Sequence, residues 1–232
     1  MTRPGWFPEE IIRAGEEHLD PGYVETYDAK AQTDPADDVA LLRARGLEET
    51  GTLVDLGAGT GTLALAVAPF CRRVIAVDVS RPMLAALGER AAEQGIGNIE
   101  PVQAGFLTYE HQGPPADVVY SRNALHHLPD FWKAVALTRI AAILKPGGLL
   151  RLRDLVYDFE PHEVGEFFEP WLSKAPATPD RGWTRQELET HIREEHSTFT
   201  WLLEPMLEHA GFIIEERDTA ARLYAAYTCV RQ

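Results

Sequence analysis

The residues best equipped for chemistry fall in one short run, Val54-Asp55-Leu56-Gly57-Ala58-Gly59-Thr60-Gly61-Thr62. Glycines at alternate positions let a chain turn sharply and approach a ligand with no Cβ in the way. Apolar residues precede the run as in a buried strand and follow it as in a helix, so it reads as a strand-to-helix turn. A helix that starts there offers unpaired N–H groups and a positive dipole end to an anionic group. The next strand-like stretch ends in Asp78, about 20 residues beyond Gly57, where dinucleotide-type folds place an acid on ribose hydroxyls. The two features in register point to an adenosine-containing cofactor. Thr62 stands where the nicotinamide fingerprint carries its third glycine, which weakens a nicotinamide reading. Asp55, within the strand, adds a carboxylate suited to a ligand bearing an ammonium group, directly or through water.

These residues need a scaffold, and the rest of the chain supplies one. Residues 1–50 read as helices and turns: Pro8-Glu9-Glu10 opens one helix, Asp20-Pro21-Gly22 is a turn, and Asp34-Pro35 caps a second helix ended by Gly46. From Thr52 onward, strands and helices alternate. Strands are expected at 52–56, 73–78, 99–103, 116–121 and 149–155, with helices through 63–70, from Ser80 to about Gln94, and at 131–144. Such alternation predicts a parallel sheet covered by helices on both faces. It pauses over 156–197, a proline- and aromatic-rich insertion with short helices near 161–172 and 184–194. A helix over 198–210, closed by Gly211, and an antiparallel hairpin of 212–217 and 223–230 complete the chain.

With these elements placed, the chain resembles the class I S-adenosylmethionine-dependent methyltransferases, of small-molecule type. VDLGAGTG (54–61), the strand-end VD (77–78) followed by SRPML (80–84), SRNALHHLPD (121–130) and ILKPGGLLRLRD (143–154) carry the resemblance as a set. It implies an α/β, Rossmann-like sheet of seven strands in the order 3-2-1-4-5-7-6, the seventh antiparallel, and S-adenosyl-L-methionine as cofactor. It further implies that Gly57, Gly59 and Gly61 face the methionine part, that Asp78 holds the ribose, that Val79 and Met83 pack on adenine, and that Asn123 sits beside the sulfonium. Tyr27, with Tyr23, lies where relatives lay a helix over the cofactor. In Gln103-Ala104-Gly105-Phe106 a glycine stands where many relatives have an acid for the adenine amino group, so adenine recognition is expected from the backbone and Phe106.

Methyl transfer is an in-line displacement in which the protein supplies orientation and electrostatics. Where the acceptor must lose a proton, His126 and His127 are the candidate catalytic bases, since imidazole titrates near neutrality. Asp154 and Tyr157 lie on the same side of the sheet. The insertion, with Tyr157, Phe159, Phe167, Phe168, Trp171 and Trp183, is expected to be a substrate lid at 156–197 over a core of 51–155 and 198–232, with the N-terminal helices of 1–50 packing over the cofactor site. His191 and His196 are five apart, and no metal is expected. The competing readings are an NAD-dependent oxidoreductase and a non-catalytic S-adenosylmethionine-binding protein.

Composition narrows the partners. Of 232 residues, 22 are Lys or Arg and 36 are Asp or Glu, a net charge of −14. Nucleic acids and anionic membranes are disfavoured, because both are held by clustered cations. Two cysteines, Cys71 and Cys229, form no disulfide framework and suit a reducing compartment. The N-terminal MTRPGWFPEE has no apolar run, so no signal peptide is expected. The expectation is a cytoplasmic monomer or homodimer acting on a small molecule.

Overall fold

The computed structural model describes residues 4–232 apart from 14, 16–18 and 32, so the first residues read for a leader lie outside the described ones. The helices are α1 (Glu10–Arg13), α2 (Pro21–Ala31), α3 (Ala36–Ala44), α4 (Thr62–Val67), α5 (Arg81–Glu93), α6 (Asp130–Ile143), α7 (Val164–Ser173), α8 (Arg185–Glu194) and α9 (Thr200–His209). The strands are β1 (Thr52–Leu56), β2 (Arg73–Asp78), β3 (Ile99–Gln103), β4 (Ala116–Arg122), β5 (Leu144–Asp154), β6 (Val156–Tyr157), β7 (Thr198–Phe199), β8 (Phe212–Ala220) and β9 (Tyr224–Arg231).

The main sheet runs β3-β2-β1-β4-β5-β9-β8. Counting only its seven strands, this is the expected order 3-2-1-4-5-7-6. Pairing is parallel from β3 through β5, and β9 is antiparallel to both β5 and β8. Every residue of β1 is buried, Asp55 included, which explains its mainly apolar sequence: helices cover both faces of a central parallel strand. β3 forms one edge and carries Pro101, whose missing N–H is tolerated there. One core packs α3, α4 and α5 on the sheet through Leu42, Leu63, Val67 and Leu87. The opposite core packs α6 and α9 through Leu137, Ile140, Leu203 and Leu207.

Local chemistry sets the element ends. Ser80 Oγ accepts the Met83 N–H and caps α5. Gly211, at φ +93, closes α9. Asp34 Oδ1 accepts the Ala36 N–H at 2.9 Å, one residue ahead of the helix. Asp38 on α3 is fully buried and accepts hydrogen bonds from Tyr120, Arg151 and Arg153. Burial alone would raise its pKa, but the Arg153 hydrogen bond and charge hold it below the usual carboxylate range.

Several boundaries differ from expectation: Pro21 and Gly22, read as part of a turn, open α2, and β8 runs to Ala220 rather than to 217. β5 begins at Leu144, which pairs with Ala116, and Lys145-Pro146-Gly147 bulges outward before the ladder resumes at Leu149. The helix expected from Thr198 begins at Thr200, because Thr198 and Phe199 are drawn into a parallel pairing with Val156 and Tyr157. Cys71 and Cys229 are buried free thiols. Among the described residues no helix is long and apolar enough to cross a membrane.

Candidate functional site

A cleft of about 690 Å³, open to solvent, lies at the carboxyl ends of β1, β2 and β4, where open α/β sheets bind ligands. Its floor is the glycine turn. Gly57, Gly59 and Gly61 all have left-handed backbone, at φ +77, +54 and +85. The Gly57 and Ala58 N–H groups both donate to Val77 O, at 2.8 and 3.0 Å, which folds the turn against the end of β2. A Cβ at Gly57 would stand 2.3 Å from Ala124 Cβ. The Asp78 carboxylate is clamped: Oδ2 accepts the Gly59 N–H and Oδ1 the Ser80 N–H, both at 2.8 Å. Turn, ribose-type acid and α5 are thus one rigid unit.

Of the residues singled out from sequence, Tyr27, Gly57, Gly59, Asp78, Val79, Met83, Gly105, Phe106, Asn123 and His127 line this cleft. Asp55, Gly61 and His126 do not. Gly61 has a packing reason instead: a Cβ there would stand 2.5 Å from Leu87 Cδ1, so this glycine lets α4 and α5 approach. Asp55 lies behind the wall, 2% exposed. Burial, and then the charge of Asp78, push its pKa up to about 8. A carboxyl that keeps its proton at neutral pH does not offer an ammonium group the charge expected of it.

Several lining residues escaped the sequence reading. Arg122, at the end of β4, is in the wall, and its buried Nη1 has no hydrogen-bond partner among the described residues. Glu10, on α1, reaches across the cleft; its Oε1 accepts the Leu107 N–H at 2.9 Å. Its carboxylate fills the space beside Gly105, where a Cβ would come within 2.5 Å of it. Glycine at 105 was the available signal: a missing side chain leaves a space that another segment must fill. Asn123 takes φ +49, which a non-glycine residue seldom adopts. Its N–H donates to Arg153 O at 2.8 Å, which fixes the bend where β4 leaves the sheet.

The histidine pair divides. His126 is 6% exposed; its Nδ1 lies 2.5 Å from Asp154 Oδ1 and its Nε2 2.9 Å from Glu195 Oε2. Burial would lower its pKa, but the charge and hydrogen bond of Asp154, then those of Glu195, raise it to about 9. Carrying a proton at neutral pH and set behind the wall, His126 is not placed to act as the base expected of it. His127 is in the cleft wall. Glu195 also lies 2.7 Å from His191 Nδ1 and 3.8 Å from His127 Nδ1. The spacing that mattered was therefore His191 with Glu195, not His191 with His196.

The aromatics of the insertion suit a pocket wall or the insertion's own small core, and the second holds for most of them. Tyr157, Phe159, Phe167, Phe168 and Trp171 pack on one another and on Leu223 as a separate apolar cluster, with Phe159 stacked on Phe167 at 4.6 Å. None of them lines the cleft. Trp183 does approach it, 6.3 Å from Tyr27. Nearby, Lys30 of α2 ion-pairs with Glu187 of α8 and lies 4.6 Å over the Trp183 ring. α2 is also tied to the glycine turn: the Thr60 hydroxyl donates to Asp28, which pairs in turn with Arg90 of α5.

Comparison with known proteins agrees with this architecture. Residues 53–148 match the family described as Methyltransferase domain. The chain is 32% identical over 102 residues to the uncharacterised methyltransferase YcgJ of Bacillus subtilis, covering 44% of this chain and 40% of that one. It is 35% identical over 108 residues to the ubiquinone biosynthesis O-methyltransferase of Caulobacter vibrioides, covering 46% and 42%. The match thus spans about two fifths of the length of these two relatives. The crystal structure of magnesium protoporphyrin IX methyltransferase (ChlM) from Synechocystis PCC 6803 with bound SAM superposes with a TM-score of 0.67 at 16% identity, covering 99% of this chain and 100% of that one. The chain carries a methyltransferase domain in the fold of the class I S-adenosylmethionine-dependent methyltransferases.

Proposed function

We propose that this protein is an S-adenosylmethionine-dependent methyltransferase acting on a small molecule. The observation that carries the reading is the pairing, in one cleft, of a clamped Asp78 carboxylate with the unsatisfied Arg122 Nη1. A zwitterionic amino acid joined to a nucleoside fits both. Asp78, fixed by two backbone N–H groups, presents its remaining acceptor capacity to ribose hydroxyls. Arg122 takes the α-carboxylate. Val79, Met83 and Phe106 supply apolar contact for adenine. The Glu10 carboxylate, in the place of the missing side chain at 105, accepts from the adenine amino group. Tyr27 and α2 cover the ligand from the solvent side.

When bound, the cofactor supplies a methyl group on a sulfonium and a neutral thioether leaving group. The chain supplies orientation: the glycine turn and Asn123 hold the methionine arm, and acids around the cleft favour a cationic ligand over the neutral product. His126 is held between Asp154 and Glu195 and does not line the cleft, so no proton transfer is assigned to it. Residues 156–197 act as the substrate lid and 1–50 as the cofactor cover. Buried free thiols suit a cytoplasmic enzyme, and the acceptor is a metabolite rather than a polyanion, given the charge of −14.

Isothermal titration with S-adenosylmethionine, S-adenosylhomocysteine and NAD tests the cofactor, and release of S-adenosylhomocysteine from a metabolite pool tests turnover. Tight NAD binding without S-adenosylmethionine binding would sink the reading. Binding without any turnover would reduce it to a non-catalytic binding protein. Sedimentation of the purified chain decides between monomer and homodimer.

A further inference from the structure

Beside the cleft, four side chains from two distant segments converge on one point. His126 and His127 follow β4; His191 and Glu195 lie one helical turn apart at the end of α8. Glu195 Oε2 stands 2.9 Å from His126 Nε2, 2.7 Å from His191 Nδ1 and 3.8 Å from His127 Nδ1. The ligand atoms of His126, His127 and Glu195 all lie within 4.8 Å of one another, and His191 joins this trio through Glu195. Four donors on a tetrahedral ion with bonds of about 2.0–2.1 Å stand roughly 3.3 Å apart; the three contacts of Glu195 Oε2, at 2.7, 2.9 and 3.8 Å, lie around that spacing. The outward nitrogens are also held. His126 Nδ1 meets Asp154 at 2.5 Å, and His191 Nε2 meets the Ser197 hydroxyl at 2.9 Å. Such outer partners fix the ring orientation of metal-ligating histidines.

Charge points the same way. Asp154 is 3% exposed, and with Glu195 it places two negative charges among three imidazoles. Neighbouring Lys133 is already matched by Asp130 and the His196 carbonyl. His126 pairs with both carboxylates, Asp154 buried and Glu195 27% exposed, an arrangement that also suits carboxylate–histidine groups around a metal. A dication would offset these charges and displace protons only from the nitrogens that bind it, leaving the His126 Nδ1–H on Asp154.

We propose that His126, His127, His191 and Glu195 bind one divalent transition metal of the zinc type, which ties the 156–197 insertion to the core at the wall of the cofactor cleft. Three imidazoles and one carboxylate suit zinc, cobalt or ferrous iron better than calcium or magnesium, which prefer all-oxygen sites. With all four ligands engaged the site is closed, as in structural zinc sites. Because His127 also lines the cleft, the metal would set the position of the acceptor-side wall. This last consequence rests on the functional reading above; the metal site does not.

The test is titration of the full, chelator-stripped chain with Co(II) and with Zn(II), followed by visible absorption and thermal melting. The expected result is about one equivalent bound per chain, with the intense visible bands of four-coordinate Co(II) and their loss on adding Zn(II). Zn(II) at a hundredfold excess over its Kd should raise Tm by about 5–10 °C. His191→Ala and Glu195→Gln should abolish the Co(II) bands, and Ser197→Ala should weaken binding about tenfold. If His191→Ala fails to fold, the wild-type titration and Glu195→Gln decide. Absence of Co(II) bands and of a Zn(II)-dependent Tm shift in a folded wild-type chain overturns the proposal and leaves a hydrogen-bonded histidine–carboxylate clamp. S-adenosylmethionine titrated in parallel separates the two readings: metal without cofactor binding breaks the functional one alone, and cofactor without metal binding breaks this one alone.

Discussion

The two sides of the cleft are built in opposite ways. The cofactor side is made of backbone: three left-handed glycines, two N–H groups on Val77 O, and a carboxylate clamped by two more N–H groups. Its parts lie within about 25 residues of one another, from Gly57 to Ser80. The lid side is made of side chains drawn from far apart. His126 meets Glu195, Lys30 meets Glu187, and the insertion's aromatics close on Leu223 near the end of the chain. The lesson is about tolerance. A backbone-built wall fails when one atom is added, whereas a side-chain-built wall can exchange its contacts and keep its shape.

The largest expected effect follows from adding that atom. Gly57→Ala places a Cβ 2.3 Å from Ala124 Cβ at φ +77. The left-handed backbone alone costs about 1–2 kcal/mol for an L-residue, and the overlap about 1–3 kcal/mol more. S-adenosylmethionine affinity by calorimetry should fall about a hundredfold; an affinity near wild type would break the comparison. Arg122→Met comes next. Loss of a hydrogen bond to a charged group costs about 1.5–3 kcal/mol, so S-adenosylmethionine and S-adenosylhomocysteine should both weaken by tenfold or more. 5′-Methylthioadenosine, which lacks the carboxylate, should bind as before, and equal weakening of all three would reassign Arg122.

Gly61→Ala sharpens the comparison from inside the same turn. Its Cβ would meet Leu87 rather than a ligand, at a cost of about 1–3 kcal/mol in overpacking. Tm should fall by several degrees while the folded fraction binds S-adenosylmethionine normally; a selective loss of affinity would return Gly61 to the binding wall. The smallest effect is expected at the mouth. Lys30→Met keeps most of the buried stem's packing and removes an ion pair in which Lys30 is 5% and Glu187 37% exposed; with one partner in water the pair contributes about 1 kcal/mol. Cofactor affinity should barely move, with any change falling on KM for the acceptor. A large loss of cofactor affinity would mean that α2 is held over the cleft by this contact alone.

The same contrast decides what could be read from the sequence. The sheet order, the glycine turn, Asp78 and the cap at Ser80 are local signals: each is a residue type at a fixed distance from a strand end. Gly61 and Asp55 were placed on the right loop and strand, but which way a residue faces depends on Leu87 and on the burial of β1, and neither is written nearby. Arg122 sat inside a stretch already marked, but nothing local says that its Nη1 finds no hydrogen-bond partner among the described residues. Glu10 lies far upstream of Gly105, and only folding shows that one fills the space the other leaves. The lid aromatics carried the right composition for either a pocket wall or a private core, and the choice between them is a matter of tertiary packing.

One small feature sets how such a chain can change over generations. β6 and β7 bring Val156 beside Thr198 and Tyr157 beside Phe199, so the insertion leaves and re-enters the sheet through a single narrow neck. Its length is therefore uncoupled from the register of the seven strands, while its content stays tied to the core at Leu223, His126 and Lys30. Exchanging the stretch between the two clasped pairs is the molecular equivalent of changing a tool head on a fixed handle. A hybrid that keeps residues 156–157 and 198–199 should retain the handle where the new head covers Leu223 and pairs with His126.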